Sequence, residues 1–253
     1  MKNYTPIMTF GEEIAKEYDD RPRGDEEEAV AFLASLAGDG PALELAVGTG
    51  RIALPLVERG IHVDGIDISP DMVAQLRAKP GGEAMSVTIG DFADVPVPGK
   101  YRLVFVVANT LFNLLTQDDQ VRCFENVAAH LTDDGLFVVE AGSPDFLYRL
   151  RDHQYVDAEQ IEVDEVRLDV ARHDPVTQVL EETHVTLTRD GVRLNPIVTR
   201  YAWPSELDLM ARIAGLRLKE RWGSWDRQPY AADSISITGR GRVGSNVISV
   251  YGR

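Results

Sequence analysis

Short apolar runs alternate with helical patterns from the N-terminal region of the chain to Ala141. The run from Leu103 to Val107 is apolar at every position, as expected for a central parallel strand that is buried on both faces. Because helical patterns lie between the apolar runs, the sequence predicts a parallel sheet with helical crossovers. The predicted strands are residues 41–46, 61–68, 84–90, 101–107 and 136–140.

Apolar residues spaced three and four positions apart predict helices around these strands. Phe10, Ile14 and Tyr18 place the first helix at residues 10–18. The sequence leaves open whether this helix is a lid over a ligand or packs on the sheet. Side chains that accept hydrogen bonds from the first helical turn are expected to begin later helices. These capping residues are Asp25, Ser69 before Pro70, and Thr116 with Asp119.

The pattern changes after Ala141. Residues 160–174, 177–189 and 192–202 form extended segments joined by turn-forming sequences, and they predict an antiparallel β insertion after strand five. We expect this insertion to cover one edge or the mouth of the parallel sheet.

The last part of the chain returns to the α/β pattern. A helix that starts with Ser205 and Asp208 and closes at Gly215 precedes strands at residues 216–222 and 246–251, with a long hairpin connection between them. The chain is therefore expected to contain a core with an N-terminal lid helix, an insertion, and a C-terminal helix with the last two core strands. The expected boundaries are 1–141, 142–202 and 203–253.

Glu44 and the glycine turn that follows it are the first candidate ligand site. Gly48 and Gly50 stand where a buried strand turns into a helix, and the missing side chains would let a ligand approach the backbone amides that begin the helix. Residues 48–53 also match the G-x-G-x-x-G/A pattern of dinucleotide-binding proteins. A structural turn would use glycine as well, so the turn alone leaves both interpretations open.

Asp67 ends the next predicted strand, 17 residues after Gly50. An acidic side chain at the carboxyl end of a neighbouring parallel strand is placed to accept hydrogen bonds from the two hydroxyls of a ribose. This position favours the ligand interpretation of the turn. Asp64 on the same strand is expected to face solvent or a neighbouring strand end.

The composition excludes some classes of partner. The 26 basic and 41 acidic residues give a formal net charge of −15 without an offsetting basic run, so nucleic acid or an anionic membrane surface would be repelled. This charge favours a small-molecule or short-peptide substrate. The sequence has no run of about 18 apolar residues and no export signal, which predicts a cytoplasmic protein. Cys123 is the single cysteine and cannot form an intrachain disulfide.

Four motifs in this order resemble those of the class I S-adenosylmethionine-dependent methyltransferases: residues 44–50, 65–69 and 90–92, and a closing pair of strands. The resemblance is strongest between Tyr18 and Ala141. It implies an α/β fold with a Rossmann-like, seven-stranded, mostly parallel sheet, helices on both faces, and an antiparallel insertion after strand five. In size and in this insertion the chain is most similar to the bacterial small-molecule branch, the natural-product type.

The resemblance implies S-adenosylmethionine as the cofactor. Glu44 would lie near its ammonium group, Asp67 would bind the ribose hydroxyls, and Asp91 would accept a hydrogen bond from the adenine amino group. Ala46 stands where the family often has glycine, which would narrow the approach. The complete implied set is Glu44, Ala46, Gly48, Gly50, Arg51, Asp67, Ile68, Met72, Asp91, Phe92, Asn109 and Leu111.

The implied reaction is methyl transfer to a nitrogen or oxygen nucleophile of a small molecule by in-line displacement, mainly through proximity and desolvation. An NAD(P)-dependent oxidoreductase is one alternative. It requires a Tyr and Lys pair, or a His with an acid, that does not follow the nucleotide-binding half, and it gives Asp91 no role. A nucleotide-binding accessory protein without catalysis is the other alternative.

A general base is optional for transfer to an amine, and none of the five histidines is an obvious base. His184 is the candidate, because it shares a polar face with Glu182 and Thr186 on the insertion. Groups near the strand ends are the acceptor candidates, although the aromatic ones could equally be core residues and Arg200 could be charge-paired. They are Tyr18, Phe112, Asn113, Arg200, Tyr201, Trp222 and Trp225.

Two further expectations concern metal ions and assembly. No spacing of His, Asp and Glu in the sequence is typical of metal ligands, so no metal is expected. A free edge on the antiparallel insertion would permit a homodimer.

Overall fold

The computed structural model of the protein describes residue 4 and residues 9–20, 22–148, 150–231 and 246–253. In these residues the chain forms two β-sheets and six α-helices. The strands are β1 (Ala42–Leu45), β2 (Val63–Asp67), β3 (Ser86–Ile89), β4 (Tyr101–Val106), β5 (Leu131–Gly142), β6 (Gln154–Ile161), β7 (Glu165–Asp174), β8 (Val179–Thr188), β9 (Gly191–Arg200), β10 (Arg217–Trp222) and β11 (Asn246–Gly252). The helices are α1 (Glu12–Glu17), α2 (Glu26–Ala37), α3 (Ala53–Glu58), α4 (Pro70–Arg77), α5 (Gln117–His130) and α6 (Pro204–Ile213).

The larger sheet has seven strands in the order β10-β11-β5-β4-β1-β2-β3. The first five strands of the chain pair in parallel, and β11 lies antiparallel between β5 and β10. The direction in which the chain winds reverses between β1 and β4, and ligands of open α/β sheets bind at such a point, beyond the carboxyl ends of the strands. This topology confirms the α/β fold class with a seven-stranded, mostly parallel sheet.

Apolar side chains pack on both faces of this sheet. On one face, Phe124 of α5 lies edge to face against Phe137 and Tyr251, with ring centroids 5.1 and 5.7 Å apart. On the other face, Phe32 of α2 packs against Trp225 at 5.4 Å. Truncating a buried aromatic side chain costs about 3–5 kcal/mol, so these layers hold the strand ends firmly in place.

The smaller sheet contains β6, β7, β8 and β9 as antiparallel neighbours in chain order. The sequence predicts three extended segments here, which is wrong: a turn at residues 162–164 separates β6 from β7, closed by a bond from Glu162 N to Glu165 O of 2.9 Å. This turn contains neither Gly nor Pro, so it carries no local turn signal.

Two of the predicted helix caps are confirmed, and two are wrong. Ser69 Oγ accepts from Met72 N at 3.2 Å, and Thr116 Oγ1 accepts from Asp119 N at 3.1 Å. Asp25 occupies the N-cap position of α2 without making a cap bond, because its ψ of 12° departs from the extended backbone that an N-cap side chain requires.

The helix predicted to start with Ser205 and Asp208 instead begins at Pro204, as α6. Proline suits the first helical position because its φ is preset and it has no amide to satisfy. Asp208 makes no cap bond and instead accepts hydrogen bonds from Arg221 and Tyr251.

The N-terminal segment bridges the two sheets. Thr9 Oγ1 donates to Pro196 O of β9 at 2.7 Å, while Ser69 Oγ donates to Phe10 O at 2.7 Å. Helix α1 and the 3₁₀ turn Tyr18–Asp20 follow. Phe10 and the residues after it thus lie across the carboxyl ends of β1 and β2.

Part of the expected hairpin connection is described. After β10 the chain folds back, with Gly223 N donating to Gln228 O at 2.7 Å and a bridge between Trp222 and Pro229. Residues 232–245, which complete the expected connection, lie outside the described residues, as do residues 1–3 and 5–8. None of the described helices has the length and apolar content needed to span a bilayer.

Candidate active site

The turn after β1 has a backbone that side chains rarely adopt. Ala46, Gly48 and Gly50 have φ angles of 57°, 55° and 78°. Glycine adopts such angles freely, whereas alanine at Ala46 costs about 1–2 kcal/mol. Strain of this kind is retained where the surrounding structure enforces it, commonly at binding sites.

The two glycines of this turn serve different purposes. A Cβ at Gly48 would lie 3.3 Å from Met72 Cε, at the wall of a cavity that both residues line. A Cβ at Gly50 would lie 2.9 Å from Leu54 Cγ and 3.1 Å from Leu76 Cδ1. Gly50 therefore allows α3 and α4 to pack closely, and it lies outside the cavity lining, contrary to expectation.

Asp67 fixes the turn from the neighbouring strand. Its Oδ2 accepts from Gly48 N at 2.7 Å, and its Oδ1 accepts from Ser69 N at 2.8 Å. Burial raises the pKa of the Asp67 carboxyl, and the backbone donors oppose that rise. One carboxylate thus joins the glycine turn to the start of α4.

A cavity of about 260 Å³ opens beyond the carboxyl ends of β1, β2 and β4. It brings together many of the predicted residues: Tyr18, Ala46, Gly48, Asp67, Ile68, Met72, Asp91, Phe92 and Asn113. Phe10, Thr110, Leu114, Leu115 and Asp119 complete its lining. Asp91 is held in place by a bond from Ala93 N to its Oδ1 of 2.8 Å.

A second cavity of about 40 Å³ lies on the other side of the glycine turn. It shares Tyr18, Ala46, Gly48 and Thr110 with the first cavity and adds Glu44, Arg23 and Arg51. The two cavities share one wall and are taken together as one elongated cleft. Its larger end combines apolar side chains with the aspartates Asp67, Asp91 and Asp119, and its smaller end combines Glu44 with Arg23 and Arg51.

Glu44 is an unusual group at the charged end of this cleft. Its side chain is buried, and its Oε2 has no hydrogen-bond partner among the described residues. Burial raises the pKa of the Glu44 carboxyl well above its ordinary value, and the nearby charge of Asp67 adds to the rise. A cation placed in the smaller cavity would relieve this carboxylate.

Arg51 holds Tyr18 at the junction of the two cavities. Its guanidinium lies 4.5 Å from the centroid of the Tyr18 ring and donates to Tyr18 O at 2.6 Å. Thr49 Oγ1 also donates to Asp19 Oδ1 at 2.7 Å, next to Tyr18. The described part of the N-terminal segment thus packs against the glycine turn, beside the cleft.

Arg23, which is partly exposed, and Glu140, which is buried, form an ion pair beside the smaller cavity. Arg23 Nη1 donates to Glu140 Oε2 at 2.9 Å, and its Nη2 bonds to Glu140 Oε1 and to Asp25 Oδ2, the latter at 3.1 Å. Glu140, which is fully buried, also accepts from Ala108 N at 2.7 Å. The pair connects the segment before α2 to the carboxyl ends of β4 and β5.

Three predicted cofactor and acceptor residues after β4 do not line either cavity. Asn109 has a φ of 60°, and its Oδ1 accepts a hydrogen bond from Gly142 N. Leu111 and Phe112 are buried in the core against α5 and α6. The 3₁₀ turn Thr110–Asn113 presents Thr110 and Asn113 to the cavity instead.

Four other acceptor candidates also lie away from the cleft. Arg200 is buried and donates to Gln120 Oε1 at 2.6 Å and to Glu206 Oε1 at 2.7 Å. Tyr201 packs against Phe146 in the core. Trp222 Nε1 donates to Glu220 Oε2 at 2.9 Å, and Trp225 packs against Phe32.

The candidate base His184 also lies outside the cleft. It stands on β8, with its Nδ1 at 2.6 Å from Asp169 Oδ1, and it lines neither cavity. The lining residues that the sequence did not suggest include Phe10, Leu114 and Leu115. Their apolar character favours a core interpretation, and only the tertiary fold places them at the cavity.

Comparison with known proteins identifies the class. Residues 42–135 match the family model described as a methyltransferase domain. The structure of the CcbJ methyltransferase from Streptomyces caelestis is 37% identical, covers 97% of this chain and 98% of its own, and superposes with a TM-score of 0.86. The chain belongs to the class I S-adenosylmethionine-dependent methyltransferases, and its relatives are of the bacterial natural-product type.

Two further relatives extend this comparison. The cypemycin N-terminal methyltransferase of a Streptomyces species is 27% identical over 76% of this chain and 78% of its own length. CalS10 of Micromonospora echinaspora, an amino pentose methyltransferase solved with S-adenosylmethionine bound, has the same fold, with 18% identity, a TM-score of 0.67 and coverage of 100% and 99%. Membership of the family, which the 37% identical structure shows, makes the protein a methyltransferase that uses S-adenosylmethionine, not an NAD(P)-dependent oxidoreductase.

Proposed function

We propose that the protein transfers the methyl group of S-adenosylmethionine to a nucleophile of a small molecule by in-line displacement, and that this nucleophile is an amine nitrogen. The observation that carries the proposal is the elongated cleft in which two cavities meet at Tyr18, Ala46, Gly48 and Thr110. An extended ligand with a cationic amino acid at one end and a nucleoside at the other suits its two chemically different ends.

The smaller cavity would hold the amino-acid part of the cofactor. The unpartnered, buried Oε2 of Glu44 supports this fit, because an ammonium group would supply both the missing hydrogen bond and the missing charge. The larger cavity would hold the nucleoside, with Asp67 at the ribose, Asp91 at the adenine amino group, and Ile68 and Met72 flanking the ring.

The cofactor supplies a methyl group that its sulfonium already activates for attack. The chain then has to orient the two partners and exclude water. Phe10 and Tyr18 cover the cleft, and Arg51 fixes Tyr18 over the junction of the cavities. Thr110 and Asn113 come from the end of β4 and provide polar groups at the same mouth.

The groups that line the cleft favour an amine over a hydroxyl acceptor. Neither cavity is lined by a histidine, lysine or cysteine among the described residues, so a hydroxyl acceptor would depend on a lining carboxylate or on Tyr18 for its deprotonation. An amine needs no such base once it is neutral.

The printed names of relatives support the same choice, since one acts at an N-terminus and another on an amino pentose. Paired acceptors test it: an amino sugar against its hydroxy analogue, and a peptide with a free N-terminus against its acetylated form. We expect S-adenosylhomocysteine and a methylated product from the amine member of a pair. Equal turnover of the hydroxyl members would overturn the amine assignment, and binding without turnover of any acceptor would support an accessory role.

The insertion also supports a proposal on assembly, namely that the protein forms a homodimer through one face of the smaller sheet. Register places uncharged residues on that face in three rows across the four strands, and eleven of these twelve residues are apolar. The rows are Ile161, Val166, Leu187 and Val192; Ala158, Leu168, Val185 and Leu194; and Val156, Val170, Thr183 and Pro196.

A second copy of the chain is the occupant that fits this apolar face. Val156, Ile161 and Leu194 are more than half exposed, and contiguous apolar surface of this kind marks an interaction site. Because each copy has a net charge of −15, two copies approach favourably only through an uncharged surface. The edge of β9 is not the proposed contact, since Thr9 and Tyr4 bond to Pro196 O and Val198 N along it.

Analytical ultracentrifugation tests this assembly. We expect the wild-type protein to sediment as a dimer and Leu194→Lys to sediment as a monomer. Thr188→Lys, on the opposite face of the sheet, is the matched control and should remain dimeric. A monomeric wild-type protein, or a dimer unaffected by Leu194→Lys, would contradict the proposal.

A further inference from the structure

Three side chains with metal-binding groups meet on the smaller sheet, on the face opposite the apolar rows. Glu159 comes from β6, Asp169 from β7 and His184 from β8, and one donor atom from each lies within 4.8 Å of the other two. Donors around a tetrahedral zinc ion, with bonds of about 2.0–2.2 Å, are separated by about 3.4 Å. Small side-chain rotations would bring the three donors to that spacing.

The register of the smaller sheet is irregular at Glu159, which is one of the three donors. Pairing of β6 with β7 shifts between Ala158 and Gln160, so that Glu159 is the extra residue of a β-bulge. The pairings of β7 with β8 and of β8 with β9 show no shift in the described strands. Bulges redirect side chains near functional sites, and this one adds a second carboxylate to the Asp169 and His184 pair.

The charge of the cluster matches a divalent cation. Asp169 Oδ1 lies 2.6 Å from His184 Nδ1, and neither Asp169 nor Glu159 pairs with a lysine or arginine in the part of the chain that is described. The nearest arginine on β7, Arg167, is paired with Glu165 at 2.6 Å. With a neutral imidazole the cluster therefore has a formal charge of −2.

We propose that Glu159, Asp169 and His184 bind a first-row divalent transition-metal ion, such as Zn²⁺, that ties β6, β7 and β8 together. An imidazole with two carboxylates suits zinc or cobalt, whereas magnesium and calcium prefer oxygen donors alone. One or more water molecules complete the coordination. The site is separate from the cofactor cleft, because none of the three residues lines either cavity.

The sheet face around the three donors is mainly acidic. The charged groups and histidines that share this sheet face with His184 are Asp157, Glu159, Glu165, Arg167, Asp169, His173, Glu182 and, on β9, Arg193. Glu165 is paired with Arg167, and Arg193 with Glu17.

Titration calorimetry of the untagged, EDTA-treated protein with Zn²⁺, and visible absorption with Co²⁺, tests the site. We expect one ion per chain, a Co²⁺ d–d spectrum and no binding of Mg²⁺. Glu159→Gln and Asp169→Asn should each weaken Zn²⁺ binding by more than about 10-fold, at least as much as losing an outer-shell partner does.

The control is His62→Asn. His62 Nε2 lies 3.3 Å from Asp64 Oδ1, a second histidine and aspartate pair that belongs to no cluster of three metal-ligating groups in the described chain. This variant should bind Zn²⁺ as the wild-type protein does. Unchanged circular dichroism without metal would show that the Glu159 and Asp169 variants are folded. No binding at one equivalent, or equal binding by all variants, would overturn the proposal.

Discussion

Asp67, at the end of β2, accepts a hydrogen bond from the backbone amide of Gly48 at 2.7 Å. The carboxylate therefore reaches from the end of β2 to the turn that follows the neighbouring strand, β1, and fixes the position of that turn. The same side chain accepts from Ser69 N at the start of α4. A residue placed to contact a ribose is thus also a structural element of its own site.

Asp67→Ala is expected to lose both roles. Each buried amide left without an acceptor costs about 1–3 kcal/mol, so the free energy of unfolding should fall and cofactor binding should be lost. Urea unfolding and calorimetric titration measure the two effects. Asp64→Ala is the matched control on the same strand, since Asp64 accepts from Tyr101 Oη and does not line the cleft. Equal cofactor affinity in Asp67→Ala would contradict the assignment.

The order of elements in the core could be predicted because each signal is local. Apolar runs such as Leu103 to Val107 report burial on both faces, and Ser69 and Thr116 report helix starts. The start of β5 at Leu131 could not be predicted, because the polar residues 132–135 suggest a loop, although Tyr101 already pairs with Leu131.

Glu44→Gln should stabilise the protein without cofactor at neutral pH. The folded state keeps a proton on Glu44 above the ordinary glutamate pKa, whereas the unfolded chain releases it. Wild-type stability therefore falls as the pH rises from the ordinary value towards the raised folded value. The variant lacks this loss, so its Tm should exceed that of the wild type at pH 7 and approach it near pH 4, close to the ordinary pKa of about 4.3.

The same substitution should weaken cofactor binding. A cationic amino group next to Glu44 favours the ionised carboxylate, so binding to the wild-type protein should release a proton and strengthen with rising pH. Calorimetry in two buffers of different ionisation enthalpy measures the released proton, which should be absent in Glu44→Gln. Proton release of equal size in both proteins would assign it to another group.

Arg23→Met should destabilise the protein by about 3–5 kcal/mol, towards the lower end because Arg23 is partly exposed. The substitution leaves Glu140, which is fully buried, without its charge partner. Arg23→Met with Glu140→Gln should recover most of the loss, because the uncompensated charge is removed. Urea unfolding of the two single variants and the double variant tests this, and additive losses would contradict the pairing.

Tyr18→Ala should weaken cofactor binding, whereas Tyr18→Phe should not. The ring is the part that Arg51 contacts, at 4.5 Å, and a contact of this kind contributes about 0.5–2 kcal/mol. The dissociation constant for S-adenosylmethionine, measured by calorimetry, should rise with loss of the ring only. Equal weakening by both substitutions would assign the effect to the hydroxyl instead.

The candidate site could be predicted where the residues belong to strand ends. Glu44, Gly48, Asp67 and Asp91 line the cleft because parallel strands bring their carboxyl ends to one edge. Arg200 and Trp225 have the side chains of ligand-binding residues, but their environment is set by partners distant in sequence, Gln120 and Phe32.

The cluster of Glu159, Asp169 and His184 shows the same limit. Its members are far apart along the chain, and only the pairing of β6, β7 and β8 brings them together. The spacing of His, Asp and Glu along the sequence therefore gives no sign of this cluster. The lack of a metal-ligand spacing in the sequence is not evidence against a metal site that strand pairing assembles.

The most direct test of the cofactor assignment is calorimetric titration of the wild-type protein with S-adenosylmethionine, S-adenosylhomocysteine and NAD. Asp91→Ala and Glu44→Gln alter the two ends of the cleft, and Asp64→Ala is the control. We expect one equivalent of the first two ligands to bind, weakened by both cleft variants and unchanged in the control. Binding of NAD alone, or binding that neither cleft variant weakens, would contradict the placement of the cofactor between Asp91 and Glu44.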